Sequence, residues 1–193
     1  DKVVLNTAVL DNHTLISDAA AVLGTQCVIA SLDISEDKQK EHVLYRHVER
    51  KADPRPIVDH ARALERAGAG ELLVNAVHRD GAKTGFDLAL VKKLTEAVEV
   101  AVIAVGGAGH PQHFVDVFEK AGADAAAAGN FFHFSEHSVT TTKQYLRQKG
   151  LDVRLDTEAT YAEAPFVESG RVHRPTDEQL YHKQFTYRPR EWI

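Results

Sequence analysis

Several residue types are scarce or missing in this chain of 193 residues. It has no methionine and one cysteine, Cys27, so it can form no internal disulfide, which is typical of a reducing compartment. No apolar run approaches the roughly 18 residues of a membrane helix, and we expect no signal peptide. We therefore expect a cytoplasmic protein with no membrane partner.

Positive charge is also in short supply. The 23 Lys and Arg residues are outnumbered by 28 Asp and Glu residues, and the net charge is −5. Non-specific binding to nucleic acid needs a basic surface, so this composition argues against a nucleic-acid partner. The hydrophobic fraction of 44% is enough for the core of one domain.

The chain begins at Asp1, without methionine, and enters an apolar run at once. We expect that this terminus was cut from a longer chain; the alternative is a processed terminus.

Apolar runs alternate with helical patterns along most of the chain. The predicted strands are Lys2–Leu5, Cys27–Leu32, Leu72–Val77, Val100–Val105 and Ala125–Ala128, with Val43–Val48 as an exposed strand extension. The predicted helices are Thr14–Leu23, Pro56 to Gly68, Asp87–Val98, Pro111–Lys120 and Ser135–Gln148, the last with Ser135 as N-cap. This alternation indicates parallel strands joined by right-handed helical crossovers.

A short internal sequence repeat supports a repeated strand–helix unit. Glu65–Gly70 resembles Glu119–Asp124, 54 residues further on, and a strand follows each. Two units of about 27 residues suit a (β/α)8 barrel of the TIM-barrel type, which needs about 250 residues. The five main strands within residues 1–154 predict slightly more than half of such a barrel. A complete, open doubly wound sheet is the alternative.

Residues 155–193 break this pattern. The segment is rich in aromatic residues, unlike most disordered tails, so we expect it to dock on the barrel or on a partner. Its aromatic residues are Tyr161, Phe166, Tyr181, Phe185, Tyr187 and Trp192.

Active sites of parallel α/β folds lie at the carboxyl ends of the strands. Two consecutive strands there run into glycine turns, Gly106–Gly109 and Gly129-Asn130. Glycine turns before helices let backbone N–H groups approach an anion, so together they predict a phosphate site at Gly106, Gly107, Gly129 and Asn130. Each could also be an ordinary turn. Asp80 and Gly81 form a further turn that could bind substrate hydroxyls.

Asp33 ends a buried strand, where a carboxylate can transfer protons, although it could equally be a capping residue. Asn6 and Thr7 end the first strand and could hold a second anion; capping of the next helix is the favoured local interpretation.

Metal ligands are not predicted. His110 with His113, and His133 with His137, have suitable spacings, but no third ligand accompanies either pair. We expect no metal and no cofactor.

A series of motifs, in order over residues 1–154, resembles the C-terminal part of the cyclase subunit of imidazole glycerol phosphate synthase, a ribulose-phosphate-binding (β/α)8 barrel. The motifs are Asp1–Ala8, the strand ending at Asp33, Gly68–Leu73, Arg79-Asp80-Gly81, Gly85-Phe86-Asp87, Val102–Gly109 and Gly122–Ala126 leading to Phe132-His133-Phe134.

The resemblance implies an activity and the residues that carry it out. The family uses ammonia from a glutaminase partner to close an imidazole ring, splitting off an aminoimidazole ribonucleotide from a substrate with two phosphates. It implies that Asn6 and Thr7 serve one phosphate and that Asp33 is the general acid/base. The other end of the substrate would be served by Asp80, Gly81, Gly107, Gly129 and Asn130.

The chain departs from this family at four positions. Asn75, His78, Val105 and Asn130 stand where the family usually has Thr, Asp, Ser and Ser. The segments Gly129–Phe134 and Glu136–Val139, and the tail Arg154–Tyr161, resemble a sister branch linked to surface polysaccharide. The altered phosphate contacts at Val105 and Asn130 fit a changed substrate. That branch is thought to amidinate a nucleotide-linked acetamido sugar with ammonia from a glutaminase. This is the favoured reading, and histidine biosynthesis is the alternative.

A further alternative is a non-catalytic, phosphate-binding half-barrel. The family's second catalytic Asp is absent from this chain, so the chain alone is expected to be inactive. Open strand edges at Lys2–Leu5 and Ala125–Ala128 predict self-association.

Overall fold

A computed structural model describes residues 1–12, 14–133, 138–155 and 161–182. Its strands are β1 (Val3–Leu5), β2 (Val28–Glu36), β3 (His42–Arg46), β4 (Lys51–Asp53), β5 (Glu71–Ala76), β6 (Ala101–Val105) and β7 (Ala125–Ala127). Its helices are α1 (Ala8–Asp11), α2 (Thr14–Leu23), α3 (Ile57–Arg66), α4 (Leu88–Thr95), α5 (Pro111–Ala121), α6 (Asn130–His133), α7 (Ser138–Gln148) and α8 (Asp177–Tyr181). A 3-10 helix covers Thr25–Cys27.

The parallel part of the sheet follows chain order. β1 pairs with β2, β2 with β5, β5 with β6 and β6 with β7, all in parallel. A doubly wound sheet reverses its strand order at a switch point, whereas a barrel adds each new strand beside the last. The predicted barrel-type fold is therefore confirmed, and the doubly wound alternative is wrong.

The predicted strand extension at residues 43–48 is in fact a hairpin. β3 runs antiparallel to β2, and β4 runs antiparallel to β3. Leu44 of β3 is buried, so the extension is not simply exposed. The nine-residue β2 makes this possible, because one of its edges pairs with β1 near Val28 and with β3 near Glu36.

Alternating burial in the strands explains where the core lies. In β5, Leu72, Val74 and Ala76 are buried, and the residues between them are only half-buried. Successive side chains of a strand point to opposite faces, so one face of the sheet packs in the core and the other remains partly open. The half-buried face carries Asn75, which matters for the site.

Local signals set the helix ends. Asp87 caps α4 by accepting a hydrogen bond from the Leu90 N–H at 3.0 Å. Pro111 opens α5, and Gly122, in the left-handed conformation, ends it. The short helices α1 and α6 were not predicted, because four residues are too few to show a helical period. The predicted N-cap Ser135 lies outside the described residues.

The segment after α7 lies against the body of the molecule. Tyr145 of α7 packs its ring against Phe166 and places its hydroxyl 2.9 Å from the Glu168 carbonyl. The N–H of Gln112 donates to the Ser169 carbonyl. Buried Gly170 lies so close to Pro111 that an added Cβ would be 2.6 Å from its Cβ. Within the described ranges, no helix is both long and apolar enough to cross a membrane.

Candidate functional site

The Asp33 carboxylate lies within β2, between two side-chain amides. The strand continues to Glu36, so the predicted strand end at Asp33 is wrong. Asn75 donates to Oδ1 of Asp33 at 2.9 Å, and Asn6 donates to Oδ2 at 3.2 Å. Asp33 and Asn75 are direct partners across the β2–β5 pair, which places their side chains on the same face. Each carboxylate oxygen thus has one neutral donor, and the group is held in one orientation.

Asn75 itself was missed as a functional residue. Its Oδ1 is buried and has no hydrogen-bond partner in the part of the chain that the structure describes. A buried amide oxygen without a partner carries a cost of about 1–3 kcal/mol, which a ligand donor would offset. The signal in the sequence is a lone polar residue in the apolar run of Leu72–Ala76.

The favoured capping interpretation of Asn6 and Thr7 is wrong. Thr7 occupies the N-cap position of α1, but its side chain makes no capping hydrogen bond. The Asn6 side chain is engaged with Asp33 instead. Asn6 therefore lies beside the carboxylate, and Thr7 follows it at the start of α1.

The second group of predicted residues surrounds a single cavity. It is lined by the β5–α4 loop and by the turns after β6 and β7, including Asp80, Gly81, Lys83, Gly106, Gly107, Ala108, Gly129 and Asn130. The five residues that the resemblance implies for this end of the substrate all line it, as does Gly106 of the predicted phosphate site. Turns from three successive strands converge here because the carboxyl ends of parallel strands share one edge.

Two of these glycines have a structural role. Gly107 has φ +98°, and an added Cβ would lie 2.2 Å from the Gly85 carbonyl oxygen. Gly106 has φ +94°, and an added Cβ would lie 2.7 Å from the Ala76 carbonyl oxygen. Only glycine fits such positions, so these residues let the β6 turn pack on the neighbouring loop. Gly129 differs, because nothing lies within 4 Å of its added Cβ.

The cavity has donors for an anion but also one acidic side chain. Among the described residues, no acceptor receives the N–H of Gly107 or Ala108. Lys83 adds a cation at the same cavity. Exposed Asp80 would repel a phosphate and is better suited to substrate hydroxyls.

The two groups lie along one edge of the sheet. Cross-strand register places Asp33 beside Asn75, Asn75 beside Val105, and Val105 beside Ala127. Four inter-strand steps from β1 to β7, at about 4.8 Å each, give a span of about 19 Å along the sheet. An elongated ligand with an anion at each end could bridge such a span.

Further basic side chains border the glycine-lined cavity. The segment after α7 contributes Arg171, His173 and Arg174 to a neighbouring cavity that shares Lys83 and Asn130 with it. The extension thus brings positive charge to the edge of the site.

Of the histidine pairs noted from spacing, one lies within the described residues. His110 and His113 stack with ring centroids 3.6 Å apart, and the Gly109 N–H donates to Nδ1 of His113. Burial, with the charge of His110, lowers the pKa of His113. His137, of the second pair, lies outside the described residues.

Two comparisons with known proteins give matches over most of this chain. A family model described as "Histidine biosynthesis protein" matches residues 1–138. The imidazole glycerol phosphate synthase subunits HisF of Anoxybacillus flavithermus and of Halalkalibacterium halodurans are each 46% identical over 155 residues, covering 80% of this chain and 62% of the relative. The HisF subunit of Thermococcus gammatolerans is 44% identical over 156 residues, covering 81% and 61%. The chain therefore spans less than two thirds of the length of these relatives.

Proposed function

Because this chain belongs to the histidine biosynthesis protein family, we propose that it forms the larger part of the cyclase subunit of imidazole glycerol phosphate synthase. The observation that carries the proposal is its likeness, at 46% identity, to subunits of that name. These matches favour the histidine pathway over the nucleotide-linked sugar.

Asp33 acts in this proposal as the general acid/base. Its carboxylate lies on the same face of the sheet as Asn75 and is oriented by hydrogen bonds from Asn6 and Asn75. A fixed orientation suits proton transfer, because the donor and acceptor must meet at hydrogen-bond distance.

The substrate is a bis-phosphorylated ribonucleotide. One phosphate binds beside Asn6 and Thr7, and the other binds in the glycine-lined cavity, where the N–H groups of Gly107 and Ala108 and the cation of Lys83 are available. Gly129 and Asn130 complete that end, and Asp80 and Gly81 bind hydroxyl groups. A glutaminase subunit supplies the ammonia.

A second candidate, amidination of a nucleotide-linked acetamido sugar, rests on two positions. Val105 lies in the row of residues that contains Asp33, and Asn130 lines the cavity. Where the family usually has serine, these side chains would change the contacts of a phosphate. A third candidate is a non-catalytic half-barrel that binds phosphates.

One experiment separates the three candidates. The purified chain is mixed with an ammonium salt and the bis-phosphorylated ribonucleotide, alone and together with the part of the Anoxybacillus relative that lies outside the match. We expect release of the aminoimidazole product in the mixture, abolished by Asp33→Asn.

The other outcomes are distinct. Turnover of a nucleotide-linked acetamido sugar in place of the ribonucleotide would support the second candidate. Phosphate binding by calorimetry, without turnover of either substrate in the complemented mixture, would support the third. Turnover by the chain alone would show that it needs no complement.

A further inference from the structure

Two histidines and two carboxylates, none of them assigned to the substrate, meet beside the β3–β4 hairpin. Glu36 ends β2 and His42 begins β3, and the two are direct partners in the antiparallel register. Their side chains therefore share a face of the sheet. His78 follows β5 by two residues, and Asp87 is the N-cap of α4.

The ligand atoms of these four residues converge. Oδ2 of Asp87 lies 2.9 Å from Nε2 of His42 and 3.1 Å from Nε2 of His78. Nε2 of His78 lies 3.4 Å from Oε1 of Glu36. All four ligand atoms lie within 4.8 Å of one another.

These separations are close to those of a zinc coordination sphere. Zn²⁺ bonds of about 2.0–2.2 Å in a tetrahedron place the ligand atoms about 3.3–3.6 Å apart. Small rotations of the side chains would therefore complete such a site. We propose that Glu36, His42, His78 and Asp87 bind one Zn²⁺ ion.

Each carboxylate has one oxygen engaged elsewhere and one directed into the cluster. Asp87 accepts the Leu90 N–H at Oδ1, which leaves Oδ2 for the cluster. Glu36 accepts from Nζ of Lys40 at Oε2, which leaves Oε1. Outer contacts of this kind orient metal ligands, and they are typical of metal sites in proteins.

The charges in and around the cluster favour a cation. Asp87 is buried, which opposes its ionisation, but hydrogen bonds from the Leu90 N–H and His42, with the charges of His42 and Arg79, keep its pKa below the ordinary value. Arg79 is the nearest competing cation, with Nε 3.7 Å from Oδ2 of Asp87. Without a metal, the contacts of both imidazoles with Asp87 require a proton on each Nε2. Zinc would take the place of these protons, because only an unprotonated nitrogen coordinates a metal.

His78 shows a further feature of the site. Its Nδ1 is buried and has no hydrogen-bond partner among the described residues. A buried nitrogen without a hydrogen-bond partner lowers the stability of the fold. The ring is nevertheless held with Nε2 directed at the two carboxylates, where coordination of a metal would offset this cost.

The donor set indicates which metal binds and what it does. Imidazole nitrogens select Zn²⁺ over Mg²⁺ and Ca²⁺, which prefer oxygen. Four protein ligands leave no open position, which is typical of a structural site. The ion would fasten the hairpin to the β5–α4 loop, and hence to the side of the candidate active site.

The test is titration of the chelator-treated chain with ZnCl₂ in competition with a chromophoric chelator. We expect one Zn²⁺ per chain, at least a tenfold loss of affinity in both His42→Gln and His78→Gln, and a higher Tm with zinc. His47→Gln is the matched control, because His47 lies exposed in the same hairpin outside the cluster, and it should bind like the unchanged chain.

Two readouts keep the proposal testable if a variant fails to fold. X-ray absorption on the unchanged chain with bound zinc should show two imidazole ligands and no sulfur, and Co²⁺ in its place should give the intense visible bands of a tetrahedral ion. Absence of binding, sulfur ligation by Cys27, or affinity unchanged in both variants would overturn the proposal. The last result would place the ion elsewhere, for example at His110 and His113.

Discussion

Asn75 donates a hydrogen bond of 2.9 Å to Asp33, its direct partner across the β2–β5 pair. The two residues are 42 positions apart in the chain. The bond connects the carboxylate of the candidate site to a strand whose other face is packed in the core.

Replacing this donor should disturb the carboxylate without removing it. Asn75→Ala leaves Oδ1 of Asp33 with one donor fewer. We expect kcat in the complemented cyclase assay to fall about five- to tenfold. This loss corresponds to about 1–1.4 kcal/mol, as for one hydrogen bond. Asn75→Thr, which keeps a donor, should retain more activity. Equal losses in both variants, with unchanged KM and stability, would show that this hydrogen bond does not position Asp33.

Alanine substitutions at two glycines of the cavity should differ in their effect on stability. Gly107→Ala creates a 2.2 Å contact with the Gly85 carbonyl in a left-handed conformation, so we expect the free energy of unfolding to fall by about 1–3 kcal/mol or more. Gly129→Ala meets nothing within 4 Å and should change it by less than about 0.5 kcal/mol. Urea denaturation measures both values. A stable Gly107→Ala chain would contradict the close packing of the two loops.

The contact between Asp53 and Arg55 in the hairpin should stabilise the fold at neutral pH and weaken in acid. Hydrogen bonds from Arg55 keep the pKa of buried Asp53 far below its ordinary value, although burial opposes this. A carboxyl whose pKa is lower in the folded state adds stability above its unfolded pKa of about 3.9, and this stability is lost as the pH falls through the folded value. We therefore expect Asp53→Asn to cost about 1–3 kcal/mol at pH 7.

The same difference should shrink as the pH falls below about 4. Urea denaturation of both chains between pH 7 and pH 3 measures it. A difference that stays constant over this range would mean that the charge of Asp53 does not contribute.

The edges of the sheet should promote association. Within the described residues, β1 pairs with β2 alone and β7 with β6 alone. Val3 and Val4 of β1 are 37% and 52% exposed. Unpaired strand edges with apolar side chains template pairing with another chain. We expect this chain to self-associate in light scattering and Val4→Lys to reduce the association; a monomeric unchanged chain would contradict the prediction.

The extension should detach when its contact with α5 is filled. Gly170→Ala places a Cβ 2.6 Å from Pro111 and 2.8 Å from the Tyr145 ring, at φ +80°. We expect faster tryptic cleavage after Arg171 than in the unchanged chain. Glu163→Ala, at an exposed position, should be cleaved at the ordinary rate. An unchanged cleavage rate in Gly170→Ala would show that this contact does not hold the segment.

Much of the fold was accessible from local patterns. The strand–helix alternation predicted the five parallel strands and their chain order, and the capping positions at Asp87 and Gly122 follow ordinary rules. Glycine turns after two successive strands predicted which residues would line one cavity. These inferences succeed because parallel strands bring their carboxyl ends to a common edge whatever the sequence between them.

The hairpin and the histidine cluster were not accessible in this way. Residues 42–53 show too short a pattern to distinguish one strand from two antiparallel ones. His42 and Asp87 are 45 residues apart and meet because β3 folds back on β2 while α4 begins beside β5. The spacing of histidines drew attention to other pairs.

The sequence by itself determined the periodic elements, the order of the parallel strands and the polar residues at their ends, since each depends on neighbours a few positions away. Tertiary structure alone decided that Asn75 contacts Asp33, that Gly107 packs on Gly85 and that two histidines converge on Asp87. These contacts join residues distant in the chain, and their geometry depends on register, twist and loop paths that no local pattern encodes.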